Sequence, residues 1–131
     1  MRPEIVQVVE AEVRIAEAAH DPLRAAIALK YGWTEPADIE EALALFDLVV
    51  TEYDESGAIV GLERDSYDDS WAGDTLYGLL APHMEAGNYI VFSYLAFDGS
   101  IVQWKVLFDG QGGYRSLSGR MVYAEDEASA A

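Results

Sequence analysis

The stretch Asn88-Tyr89-Ile90-Val91-Phe92-Ser93-Tyr94-Leu95-Ala96-Phe97-Asp98-Gly99-Ser100-Ile101-Val102-Gln103-Trp104-Lys105-Val106-Leu107-Phe108 decides the fold. Two runs rich in β-branched and aromatic residues flank Asp98-Gly99. An Asp-Gly pair between such runs is a strong hairpin signal, because tight hairpin turns need positive φ, which Gly and Asp tolerate. Over residues 100–108 the side chains alternate. Val102, Trp104, Val106 and Phe108 share one face, and Gln103 and Lys105 share the other. Asp109-Gly110-Gln111-Gly112-Gly113 makes a second turn. Residues 114–123 then read as a third strand, with Leu117, Met121 and Tyr123 on one face. The result is an antiparallel meander. Residues 58–64, with Ile59, Val60 and Leu62 apolar, form a strand that would add a fourth to this sheet.

Upstream, the pattern predicts helices. Over residues 4–19, Ile5, Val9 and Val13 fall at i, i+4, i+8, widened by Val6, Val8 and Ile15, while Glu10, Glu12 and Glu17 lie mostly off that stripe. Asp21-Pro22 reads as an N-cap with proline at the first helical position, opening a helix over 22–31 with Leu23, Ile27 and Tyr31 and ended by Gly32. Asp38 followed by Glu41 resembles a capping box for a third helix running to about Tyr53, with Ile39, Leu43, Phe46 and Val50 apolar. A short fourth helix is expected from Asp74 or Thr75 to about Glu85, burying Leu76, Leu79 and Leu80, with Pro82 kinking or ending it. The expected architecture is α+β: N-terminal helices packed on one face of a small antiparallel sheet, in the order α-α-α-β-α-β-β-β. Residues 1–131 form one domain, and the acidic, alanine-rich residues 124–131 read as a frayed tail.

Composition excludes several classes. A hydrophobic fraction of 51% is too high for a disordered chain. The absence of cysteine removes disulfides, thiolate nucleophiles and cysteine zinc sites, and fits a cytoplasmic location. No signal peptide opens the chain, and no apolar run approaches the roughly 18–20 residues of a membrane span. The net charge is −16, from 24 acids against 8 bases. Such a field repels nucleic acid and anionic membranes and draws basic protein partners inward.

Motifs for chemistry are sparse. The serines lack a Gly-x-Ser-x-Gly context, and His20 and His83 stand in no recognisable motif. The glycine-rich turn at 109–113 is followed by no Lys-Ser/Thr, so no phosphate-binding loop and no cofactor motif is read. Asp65, Asp68, Asp69 and Asp74 crowd one loop, as hard cations prefer, but not at EF-hand spacing. They are read as a solvated acidic loop. Between residues 54 and 74 there are seven acids and one base, Arg64, with aromatics interleaved. Acids beside aromatics suit a protein interface, where rings anchor and charge steers. The candidate partner-binding residues are therefore Asp54, Glu55, Glu63, Asp65, Tyr67, Asp68, Asp69, Trp71 and Asp74, with no catalytic or metal-ligating residue assigned.

The stretch Leu79-Leu80-Ala81-Pro82-His83-Met84-Glu85-Ala86-Gly87-Asn88-Tyr89-Ile90, followed by Asp98-Gly99, Trp104 and Phe108-Asp109-Gly110, resembles small phage and bacterial accessory proteins. It spans residues 76–123 and rests on turn glycines and core aromatics. Asn88 stands where those proteins have serine. The resemblance implies a phage or mobile-element context and no activity. The expected function is a non-enzymatic inhibitor or regulator of anti-CRISPR or antirestriction type that occupies a basic nucleic-acid-binding surface. The alternatives are a metal-dependent hydrolase using the Asp65–Asp74 loop, with His83 as a further candidate, and an immunity protein for one dedicated partner.

Overall fold

The computed structural model describes residues 6–32, 36–64, 73–96 and 98–120. The chain is α+β. In order it forms β1 (Gln7–Glu12), α1 (His20–Lys30), α2 (Ile39–Ala44), β2 (Leu48–Tyr53), β3 (Ile59–Arg64), α3 (Gly73–Leu80), β4 (Tyr89–Leu95), β5 (Ile101–Phe108) and β6 (Tyr114–Arg120). Short 3₁₀ turns at Glu17–Ala19 and Ala81–His83 precede α1 and follow α3. Four strands make an antiparallel sheet in the order β1-β4-β5-β6, and β2 and β3 make a separate two-stranded sheet.

The meander forms as its sequence predicts. β4 and β5 pair from Tyr89 opposite Leu107 to Leu95 opposite Ile101. At the turn between them, the Ala96 amide donates to the Ser100 carbonyl at 2.7 Å and Gly99 sits at φ 88°. The Asp98 carboxylate accepts from the Ser100 amide at 2.9 Å. At the next turn, Asp109 accepts from the amides of Gln111 and Gly113, at 2.7 and 2.9 Å.

Three expectations need correction. The first is the helix over 4–19: among the described residues of that span, Gln7–Glu12 form strand β1 and Glu17–Ala19 a short 3₁₀ turn. Val6 and Val8, then Ala11, Val13 and Ile15, alternate at period two on either side of a bulge between Val8 and Glu10. The extra residue turns Val9 outward, 55% exposed. One inserted residue converts an alternating pattern into one that mimics helical spacing. The β-branched valines favour the strand on their own account.

The second correction concerns the helix expected from Asp38 to about Tyr53. Asp38 caps α2 as read, its carboxylate accepting from the Glu41 amide at 2.8 Å. The helix stops at Ala44, and Asp47 takes a positive φ of 60° that reverses the chain into β2. Leu48, Val49 and Val50, and beyond a bulge at Thr51 also Glu52 and Tyr53, then pair with β3.

The third is that β3 does not extend the meander. Among the described residues it meets the larger sheet through a bridge, in which Ile15 and Ile59 exchange hydrogen bonds of 3.0 and 2.9 Å. β1 is the fourth strand. Among the described residues the order of helices and strands is therefore β-α-α-β-β-α-β-β-β.

One core joins these parts. Ile90, Phe92, Val106 and Phe108 from the sheet cluster with Leu23 and Ile27 of α1, Leu43 of α2, Leu62 of β3, and Leu76, Tyr77 and Leu80 of α3. Burying each of these large side chains contributes about 1.5–3 kcal/mol relative to exposure. Tyr31, just beyond α1, packs edge-on against Phe46 at 5.6 Å. On β6 the inward face is set by pairing: Tyr114, Ser116 and Ser118 lie opposite Phe108, Val106 and Trp104. Leu117 therefore points to the other side, 41% exposed. Met121 and Tyr123, expected beside it, lie outside the described residues, as does the tail 124–131.

Candidate functional site

Of the nine residues predicted to form a binding face, Asp65, Tyr67, Asp68, Asp69 and Trp71 lie outside the described residues. The other four occupy two places. Asp54, Glu55 and Glu63 belong to the β2–β3 hairpin, whereas Asp74 sits in the first turn of α3.

Asp54 organises the hairpin turn. One carboxylate oxygen accepts from the Ser56 amide at 2.9 Å, the Ser56 hydroxyl at 2.7 Å and the Ala58 amide at 3.0 Å. The other meets Arg14 Nε at 3.3 Å. The Ser56 hydroxyl, then the turn amides and Arg14, hold its pKa below the ordinary carboxylate value. Arg14 also reaches Glu85 at 3.2 Å and the Ser56 hydroxyl at 3.0 Å, so it ties the end of β1 to the hairpin turn and to the segment before β4. Asp54 is thus engaged in holding the fold. Glu55 at the turn and Glu63 on β3 are exposed.

Arg64, the one base between residues 54 and 74, is withdrawn from the surface at 5% exposure. Its guanidinium donates to the carbonyls of Phe46 at 3.1 Å and Val6 at 2.7 Å, and lies 3.5 Å from Asp47. A buried guanidinium is tolerated because its donors are met. The hairpin consequently shows carboxylates to solvent while its positive charge faces the core.

Among the described residues two acid–aromatic pairs occur, one at Tyr53, which directly precedes Asp54, and one at Tyr89. The Tyr53 hydroxyl donates to Glu40 at 2.6 Å, and the Tyr89 hydroxyl to Glu10 at 2.6 Å. Both phenols are pushed up to about 12: Tyr53 by desolvation and then Glu40, Tyr89 by its bond to Glu10 together with Glu12. Lys105 lies 4.4 Å from the centre of the Tyr89 ring. Neither pairing is visible in sequence, since Glu10 and Tyr89 are 79 residues apart.

A cleft of about 490 Å³ lies between the start of α3 and the inner face of β5 and β6. Gly73, Asp74, Tyr77, Trp104, Ser116 and Ser118 line it. Its origin is a run of small side chains. Where the inner face of a strand ordinarily places bulk, β6 places Ser116 and Ser118, and α3 opens with Gly73. Trp104 is held in place by its neighbours. Its indole N–H donates to the Tyr77 hydroxyl at 2.8 Å, Phe92 stacks on it at 5.6 Å, and Tyr94 meets it edge-on at 5.9 Å. Tyr77 in turn packs against Phe92 and Tyr114. Asp74, predicted as part of the acidic face, borders this cleft and is exposed.

The histidines show no shared chemistry. His20 begins α1 with Nε2 3.2 Å from the Ile15 carbonyl oxygen, and His83 ends the turn after α3, where burial lowers its pKa. Among the described residues, no group of three or more His, Asp or Glu side chains is placed to hold a metal ion. No helix among them is long and apolar enough to cross a membrane. Comparisons of the chain with protein-family models, curated proteins and solved structures return no match.

Proposed function

We propose that this chain is a non-enzymatic inhibitor or regulator, of anti-CRISPR or antirestriction type, that occupies the basic nucleic-acid-binding surface of a protein partner in the cytoplasm. The observation that carries the reading is the one-sided charge of the surface. Among the described residues, Arg14 and Arg24 are turned onto neighbouring carboxylates, Arg64 is buried and Lys105 lies over Tyr89, while Lys30 and Arg115 are exposed. Glu10, Glu12, Glu52, Glu55, Glu63 and Asp74 face solvent. A net charge of −16 is thus left largely to the surface. Fixed carboxylates can take the place of phosphates on a Lys/Arg groove and release its counterions. The phage-like C-terminal pattern supplies the context.

The test is a competition. Proteins captured on the immobilised chain are challenged with duplex DNA and with rising salt. A nucleic-acid-processing partner should be retained at low salt, lost steeply as salt rises, and displaced by DNA. Partners held equally at low and high salt, or bound to the chain and DNA together, would refute the reading.

A further inference from the structure

We infer that the cleft between α3 and the β5–β6 face receives an arginine side chain from the partner, a deeper claim that rests on the basic-partner reading above. Three features converge on a guanidinium. The wall is aromatic: the half-buried Trp104, its indole fixed by the 2.8 Å hydrogen bond to the buried Tyr77 behind it. A planar delocalised cation stacks on such rings better than a compact ammonium does. Asp74 stands at the border with an exposed carboxylate, where Coulomb attraction and a charge-assisted hydrogen bond are available. The Ser116 and Ser118 hydroxyls on the opposite side provide acceptors for the remaining N–H groups.

Size and charge agree with this occupant. A volume of about 490 Å³ falls within the usual range of ligand clefts, and small residues, not distorted backbone, create the space. The surrounding charge of −16 opposes phosphates and carboxylates as ligands and favours a cation. Preorganisation adds to this. Trp104 is already packed between Phe92 and Tyr94, so little side-chain freedom is lost on binding.

The experiment is an amide and indole NMR titration of the full chain with the blocked amino acid N-acetyl-arginine-methylamide, and in parallel with its lysine counterpart. A single residue has too little charge to report on the acidic surface as a whole. Shifts should concentrate on the Trp104 indole N–H and on the amides of Gly73, Asp74 and Ser118. Arginine should bind more tightly than lysine. Asp74→Asn should weaken arginine by about tenfold, while Glu55→Gln, at the hairpin turn, should leave it unchanged. Equal weakening by the two variants, or shifts spread evenly over the acidic surface, would overturn the inference. A second variant separates it from the proposed function. Ser116→Leu fills the cleft, and its fold is checked by the dispersion of the amide spectrum. A salt-sensitive, DNA-displaced partner that binds this variant as tightly as the native chain would refute the arginine site and leave the proposed function standing. Localised arginine binding with no such partner would do the reverse.

Discussion

Single residues carry much of the tertiary organisation. Arg64 joins three parts of the chain, donating to Val6 and Phe46 and approaching Asp47. Arg64→Met keeps the aliphatic bulk and removes every donor, leaving two carbonyls without their partner. It should destabilise the protein by about 3 kcal/mol, read as a shift in denaturant midpoint with unchanged slope. Tyr53 and Tyr89 offer a second check. Their pKa values lie at about 12, against an ordinary 10.0, because desolvation and then Glu40 favour the neutral phenol of Tyr53, and the bond to Glu10 and then desolvation favour that of Tyr89. A raised folded-state value stabilises the fold fully below pH 10.0, and that contribution is lost as pH rises through about 12. In an absorbance titration these two tyrosines should ionise late. Glu10→Gln should bring Tyr89 back toward the ordinary value and leave Tyr53 where it is.

At the level of elements, turns are the most legible features and bulges the least. Asp98-Gly99 and the glycine-rich 109–113 segment announce their hairpins through local backbone chemistry alone. They also differ in a testable way. Gly99 has φ 88° with open space where a Cβ would stand. Gly110 has φ 77°, and a Cβ there would meet the Ala86 amide nitrogen at 2.6 Å. Gly99→Ala should therefore cost only the strain of the left-handed backbone, about 1–2 kcal/mol. Gly110→Ala should cost clearly more, because it also pushes the turn away from the chain before β4. Comparing the two thermal midpoints checks the difference. β1 shows the opposite case. Its valines alternate as a strand should, but the bulge shifts the alternation by one residue and leaves an apparent helical stripe of Ile5, Val9 and Val13. Only pairing with β4 shows which residue is extra.

For the whole molecule, the net charge of −16 is a stability term as well as a recognition signal. Like charges repel more in the compact state than in the expanded one. Salt should thus raise the melting temperature at neutral pH by screening that repulsion. Acid has two opposed effects. From pH 7 toward about 5, partial neutralisation of the acids should stabilise the fold. Lower still, the turn aspartates dominate. Asp54, Asp98 and Asp109 have folded-state pKa values lowered by the Ser56 hydroxyl, the Ser100 hydroxyl and the Gln111 amide respectively. Their contribution is present above the ordinary aspartate value of about 3.9 and is lost as pH falls through the lowered values. Melting temperature against pH should accordingly pass through a maximum on the acid side of neutrality. A monotonic fall from pH 7 downward would contradict this account.

The candidate site divides along the same line. The sequence alone shows the excess of acid, the aromatic composition and Asp74 as a candidate, because charge and residue type need no coordinates. It also specifies the meander, α1 and α3, whose patterns are local. It does not show that Arg64 turns inward, that Glu10 meets Tyr89, or that Ser116 and Ser118 face Trp104 across a cleft. Those relations depend on strand register and on contacts between residues many positions apart. A shift of one residue in pairing moves every side chain of a strand to the other face. The chain's own chemistry determined its acidic character and its hairpins. The cleft, and the side of the sheet on which it opens, were decided only when β6 paired with β5 and α3 packed beside them.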